Sequence, residues 1–274
     1  MGRFTFKLAR VFNAGAGSPR SAQSEVMIAA ILAGGLGTRL RSVITSKPKV
    51  LAEVSGSPFL EYVLRQIKEL GITKVVLCTG YLASQIESVF GYEWQGLELV
   101  YSKELQPLGT AGALRLALPN LSGPTVLVLN GDSFYRGSLD GLLKTHRARN
   151  ARATLLLAHV ESTTRFGTVE IADSGEVQRF LEKDPTRVGP GWVSAGVYVM
   201  EREGIATIPQ GRAVSLERET FPALISSGLF AFCGPGQFLD IGTPESYVQA
   251  SQFVVECTQE ARLKRSPTEE SCQE

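Results

Sequence analysis

Residues 29–39 read Ala29-Ala30-Ile31-Leu32-Ala33-Gly34-Gly35-Leu36-Gly37-Thr38-Arg39. The apolar run from Val26 to Ala33 predicts a strand buried on both faces, the pattern of a parallel sheet covered by helices. It empties into three glycines, where the absence of a Cβ lets backbone N–H groups turn toward a ligand. Arg39, Arg41, Lys47 and Lys49 follow, and no Asp or Glu occurs between Gly34 and Ala52. A loop of free amides edged only by cations suits a polyphosphate.

Two familiar phosphate loops do not fit. A dinucleotide fingerprint needs a third glycine or alanine, and Leu40 stands at that position. A Walker loop needs Gly-Lys-Ser or Gly-Lys-Thr, which the stretch lacks. Further along, Thr125-Val-Leu-Val-Leu-Asn130-Gly131-Asp132 predicts an apolar strand ending in a carboxylate, the edge where open α/β sheets bind ligands. Phe238-Leu-Asp240-Ile-Gly-Thr243-Pro244 carries a second Asp just before a helix start, with Thr243 as N-cap and Pro244 in the first turn.

Leu32 to Arg39 followed by Lys47-Pro48-Lys49 resembles the signature of sugar-1-phosphate nucleotidyltransferases. The resemblance implies that Leu32, Ala33, Gly34, Gly35, Gly37 and Thr38 wrap a nucleoside triphosphate, and that Arg39 and Lys49 bind its phosphates. Val50 departs from the second proline found in many relatives. By the same resemblance Asp132 and Asp240 hold Mg²⁺, whose oxygen-only octahedral preference suits two carboxylates plus phosphate oxygens and water. Arg39, Lys49 and Asp132 are the expected catalytic residues. In-line attack of a sugar phosphate on the α-phosphorus brings two anions together, so cations must screen them and stabilise the leaving pyrophosphate.

Acceptor recognition is implied for Gly131, for Gly167 in Phe166-Gly167-Thr-Val-Glu170, and for Glu182 and Lys183 in Phe180-Leu-Glu182-Lys183. Glu182 would bind sugar hydroxyls and Lys183 the sugar phosphate. Ser194 and Ala195 match an Asn-Ala-Gly segment in which Ser194 replaces the asparagine. The segment Glu104-Leu-Gln-Pro107-Leu-Gly109-Thr110 resembles the one that reads the nucleobase. Guanine offers N1–H and an N2 amino group side by side, and a carboxylate accepts both. Relatives that use UTP or dTTP generally carry glutamine where Glu104 stands, so GTP is the expected donor.

The expected fold is α/β: a Rossmann-like, mixed, mostly parallel sheet flanked by helices, in a single domain over residues 26–256. Strands are predicted at Lys74–Cys78, Leu97–Tyr101, Thr125–Leu129, Arg152–Val160, Gly167–Ala172 and Val193–Met200. Helices are predicted at Ser57–Leu70, with Ser57 as N-cap and Phe59, Leu60, Val63, Leu64 and Ile67 buried, and at Thr243–Glu256, packed through Tyr247, Val248 and Phe253. Residues 1–25 are basic with Phe4, Phe6 and Phe12, and read as an extension or as a start assigned upstream of the true one near Met27. Residues 257–274 read as a polar tail, mobile from Lys264 on, with no hexapeptide repeat.

Composition agrees: 43% hydrophobic and 20% charged residues suit a soluble globular chain, and a net charge of +1 gives no reason to expect nucleic acid. No apolar run approaches the length needed to span a bilayer, so no membrane partner is expected. Cys78, Cys233, Cys257 and Cys272 lack metal-ligand spacing and read as reduced, cytoplasmic thiols. A homo-oligomer is compatible with the sequence. The compact pattern, with Arg41-Ser-Val-Ile, Pro58-Phe-Leu-Glu-Tyr-Val and Val214-Ser-Leu-Glu-Arg, looks like the D-glycero-α-D-manno-heptose 1-phosphate guanylyltransferases of bacterial surface-glycan assembly. Mannose 1-phosphate guanylyltransferases and N-acetylmuramate 1-phosphate uridylyltransferases are the alternatives, and a nucleotide-sugar-binding regulatory paralogue is the non-enzymatic one.

Overall fold

The computed structural model describes residues 27–35, 37–40, 43–44, 46–181, 186 and 189–265, with only the backbone for Thr38 and for residues 255–265. The expectations for residues 1–25, Glu182, Lys183 and residues 266–274 therefore lie outside the described residues. In chain order the first half comprises β1 (Ile28–Leu32), β2 (Glu53–Val54), β3 (Ser57–Pro58), α1 (Phe59–Glu69), β4 (Lys74–Thr79), α2 (Ala83–Phe90), β5 (Glu93–Trp94), β6 (Leu97–Lys103), α3 (Gly109–Ala117) and β7 (Thr125–Asn130). The second half comprises β8 (Ser133–Arg136), α4 (Asp140–Ala148), β9 (Ala153–Val160), β10 (Thr168–Ile171), β11 (Val177–Leu181), β12 (Gly191–Glu201), α5 (Arg202–Ala206), α6 (Phe221–Leu224), β13 (Leu229–Gly234), β14 (Gln237–Asp240) and α7 (Pro244–Arg265).

The main sheet runs β11-β10-β12-β7-β1-β4-β6-β5, with β9 beside β12 and β13 beside β9. β7, β1, β4 and β6 are parallel, whereas β12 runs antiparallel to β7 and to β9. This is the mixed, mostly parallel sheet that the sequence predicts. Alternation within each central strand explains the unbroken apolar runs. Ala29, Ile31, Val75, Leu77, Leu127 and Leu129 face a core closed by Leu60, Val63 and Leu64 of α1. Ile28, Ala30, Val76, Val126 and Val128 face a second core closed by Ala113, Leu114 and Ala117 of α3.

Three local expectations are corrected. Ser57 does not cap a helix: Ser57 and Pro58 pair with Val54 and Glu53 in a hairpin, and α1 begins at Phe59. Ser55 (φ 48°) and Gly56 (φ 82°) form its two-residue turn, both left-handed, as the twist of a tight hairpin demands. The last helix runs on to Arg265 rather than stopping at Glu256, because no Gly or Pro intervenes until Pro267. Its start is as expected, with the Thr243 N–H donating to Ser246 Oγ at 3.2 Å and the Ser246 N–H to Thr243 Oγ1 at 3.4 Å. Val248 is 77% exposed; Ala250 and Val254 pack beside the half-buried Tyr247 and Phe253 instead. Among the described residues no helix is long and apolar enough to cross a membrane.

Ile31, fully buried at the centre of the sheet, tests this core. Ile31→Ala should lower unfolding free energy by about 3 kcal/mol, while the exposed Val248→Ala should move it by less than about 0.5 kcal/mol. Urea unfolding followed by circular dichroism measures both.

Candidate active site

β1 has β4 on one side and β7 on the other, and successive connections leave from opposite sides of it, so a crevice opens beyond the carboxyl ends of these strands. Parallel register sets Leu32 level with both Cys78 and Asn130. The Ala33 N–H donates to Cys78 O at 2.8 Å and the Gly131 N–H to Leu32 O at 2.9 Å, which locks the three strand ends together. Gly131 is buried there, and a Cβ would lie 3.0 Å from Leu32 O.

The glycine loop leaves this junction and closes in a 3₁₀ turn, Thr38–Leu40, anchored by the buried Leu40. Arg39 stays exposed. A second 3₁₀ turn, Lys49–Leu51, buries Val50 and Leu51 and brings Lys49 against Gly37, where a Cβ would lie 3.3 Å from Lys49 Cβ.

The Lys49 ammonium bonds Asp132 Oδ2 at 2.6 Å. Asp132 immediately precedes β8, which pairs antiparallel with β14 so that Ser133 stands opposite Asp240. Two carboxylates distant in sequence thus meet. Asp240 Oδ1 accepts the Gly242 N–H at 2.7 Å, and the Arg165 guanidinium lies 3.7 Å from the same oxygen. Burial raises the Asp240 pKa first and the Asp132 charge adds to it; Lys49, the Gly242 N–H and Arg39 oppose them. Like-charged oxygen donors held together against desolvation suit a hard divalent cation. Among the described residues no group of three or more His, Cys, Asp or Glu side chains is arranged to hold a metal, so ligand or water oxygens would complete its shell.

At the other end, the Glu104 N–H donates to Thr79 O at 2.8 Å, continuing the β4–β6 pairing. Its carboxylate folds back over two glycines: a Cβ on Gly80 would lie 2.6 Å from Glu104 Oε1, and one on Gly34 2.8 Å from it. Oε2 accepts the Leu108 N–H at 3.1 Å. Burial pushes the Glu104 pKa up, and the Leu108 N–H offsets part of that. The neighbouring Cys78 thiol is pushed up to about 12, mostly by burial, so it is a neutral part of the wall.

A cavity of about 350 Å³ connects these features. It is lined by Leu32, Ala33, Gly34, Gly35, Gly37 and Arg39 of the glycine loop, by Lys49 and Asp132, and by Glu104, Pro107, Gly109 and Thr110. The Thr110 hydroxyl oxygen accepts the Leu216 N–H at 2.8 Å. Val50, Cys78, Ala113, Asn130 and Gly242 also line it and had not been expected to. Cys78 and Asn130 follow from strand register, which local pattern does not encode. Asn130 directly precedes Gly131-Asp132, the one signal that pointed to it.

Of the expected acceptor residues, Gly131 sits at the cavity's edge between Asn130 and Asp132, while Gly167, Ser194 and Ala195 do not line it. Gly167 is exposed just before β10, and Ser194 is half-buried in β12. Ala195 turns its side chain fully into the core, so only its backbone can meet a ligand.

Residues 28–256 match the nucleotidyl transferase family, and the chain belongs to it. It is 40% identical to the mannose-1-phosphate guanylyltransferase of Mycobacterium tuberculosis over 83% of this chain and 64% of that protein, less than two-thirds of its length. It is 34% identical to the D-glycero-alpha-D-manno-heptose 1-phosphate guanylyltransferase of Aneurinibacillus thermoaerophilus, over 82% of this chain and 97% of that one. Among solved structures, HddC from Yersinia pseudotuberculosis in complex with GMP-PN superposes with a TM-score of 0.74 at 28% identity, covering 83% of this chain and 99% of the other.

Asp132 is 35% exposed and belongs to neither core. Asp132→Ala should therefore fold normally by circular dichroism while pyrophosphate release falls by about 10³-fold. Near-wild-type turnover would remove Asp132 from the catalytic centre.

Proposed function

We propose that this chain transfers a guanylyl group from GTP to a manno-configured sugar 1-phosphate, forming a GDP-sugar and pyrophosphate. The observation that carries the reading is the Glu104 carboxylate, folded over the Cβ-free Gly34 and Gly80 at the end of the phosphate-binding cavity. A carboxylate held there accepts the two adjacent donors of guanine. Uracil and thymine present one N–H between two carbonyls and would leave it unsatisfied, a mismatch worth roughly 10⁴-fold in discrimination. The guanylyltransferase names of the two relatives support the same donor.

The triphosphate would lie along the Gly34–Gly37 amides with Arg39 as a planar, multi-donor clamp. Lys49, which bonds Asp132, supplies a point charge for the same phosphates. These groups orient the α-phosphorus for in-line attack by the sugar phosphate oxygen and stabilise charge on the departing pyrophosphate. Mg²⁺, held by Asp132 and Asp240, would add Lewis-acid charge neutralisation when bound.

Gly167, Ser194 and the Ala195 backbone form the acceptor side, with Glu182 for sugar hydroxyls and Lys183 for the sugar phosphate. Mannose and the D-glycero-D-manno-heptose differ only at the end of the C6 arm, and relatives named for each match this chain comparably. Arg39, Lys49, Asp132 and Asp240 stand together, a charge constellation that a purely regulatory paralogue would not need.

Pyrophosphate release with Mg²⁺, comparing GTP with UTP and mannose 1-phosphate with D-glycero-α-D-manno-heptose 1-phosphate, tests the reading. GTP should be preferred, and the better sugar identifies the acceptor. A preference for UTP would overturn the role of Glu104, and no release with any pair would favour the regulatory alternative. Lys183→Ala should raise the KM for sugar phosphate about tenfold with the GTP KM nearly unchanged. An equal sugar-phosphate KM in the variant would reject that role.

A further inference from the structure

The segment Val214-Ser-Leu-Glu217-Arg forms a strap beside the nucleotide cavity. The Val214 N–H donates to Leu108 O at 2.8 Å, and Val214 O accepts the Ala111 N–H at 2.9 Å. Together with the Leu216 N–H on Thr110 these bonds fasten the strap to the first turn of α3. Gly109 is required at this joint: its φ is +68°, and a Cβ would stand 2.6 Å from Val214 O. Leu216 and Phe221 are buried on either side of Glu217, so the exposed Glu217 is carried between two fixed points.

A directed chain of hydrogen bonds ends on that carboxylate. The Gly196 N–H donates to Ser194 Oγ at 3.3 Å, Ser194 Oγ–H to Tyr198 Oη at 3.2 Å, and Tyr198 O–H to Glu217 Oε1 at 2.9 Å. Tyr198 is 1% exposed, with its ring 4.9 Å from that of Phe221. Asn130, which lines the cavity, also bonds the Tyr198 hydroxyl. Burial and then the Glu217 charge push the Tyr198 pKa well above its ordinary range, so the hydroxyl remains a donor. Successive donors polarise one another and strengthen the last bond.

We propose that Glu217 is an acceptor-recognition residue whose carboxylate, aimed by Tyr198, receives sugar hydroxyls. The inference rests on the sugar 1-phosphate reading and deepens it. A strap anchor needs no charge, and the backbone bonds to α3 already fasten the strap. Tyr198 fixes one oxygen of an exposed carboxylate, which pre-organises the other acceptor sites and lowers the entropic cost of binding. A carboxylate also matches two neighbouring donors, and a manno-configured ring presents its C2 and C3 hydroxyls on the same face. The gluco epimer places them on opposite faces.

The experiment uses the full chain and steady-state pyrophosphate release with GTP, comparing mannose 1-phosphate with glucose 1-phosphate. Glu217→Gln keeps an acceptor for Tyr198 and loses the charge. Glu217→Gln should raise the mannose 1-phosphate KM about tenfold, leave the GTP KM within about twofold, and shrink the manno-over-gluco preference. Tyr198→Phe should move the same quantities in the same direction by less. Unchanged sugar-phosphate KM and epimer preference in Glu217→Gln, with an active wild type, would overturn this assignment alone. A rise confined to the GTP KM would likewise overturn it, reducing the strap to a support of α3. A wild type that releases no pyrophosphate with either sugar would overturn the nucleotidyl-transfer reading, and this assignment with it.

Discussion

Parallel register across β4, β1 and β7 is the constraint on which the site depends. Because Leu32 is level with Cys78 and Asn130, three strands end at one height and their connections open into one crevice. A slip of one residue would turn every side chain in β1 to the opposite core. Buried apolar surface on both faces penalises such a slip, so the hydrophobic cores that stabilise the sheet also hold the geometry of the candidate site.

Charge compensation follows from that geometry. Asp132 and Asp240 are brought together by the β8–β14 pairing, and each carboxylate has a basic side chain beside it. Lys49 bonds Asp132, and Arg165 lies near Asp240. Lys49 therefore serves Asp132 as a counter-ion. The turn that carries it has Val50 and Leu51 buried as a fixed base.

Features governed by short stretches were legible in the sequence. The strand and glycine loop, Asp132 at a strand end, Asp240 before a capped helix, and Glu104 in its segment all depend on neighbours within a few residues. Features that arise between distant segments were not. Cys78 and Asn130 enter the cavity through strand register, and Thr110 turns its hydroxyl to Leu216, far along the chain. Ser57 read as a cap because Ser-Pro before an apolar run is a helix-start signal. The left-handed turn at Ser55-Gly56 instead folds it into a hairpin. Val248 read as packed because it is apolar, while helical phase puts Ala250 and Val254 on the buried side.

The β8–β14 ribbon also sets an order in time. A ribosome releases the chain from its amino end, so the glycine loop, Lys49, Glu104 and Asp132 emerge well before Asp240. The parallel half of the sheet can form its cavity while the second carboxylate has yet to be synthesised. Until β14 docks on β8, the growing polypeptide has the cavity with only one of its paired carboxylates. The pairing of the two carboxylates is thereby one of the last long-range contacts the chain can make.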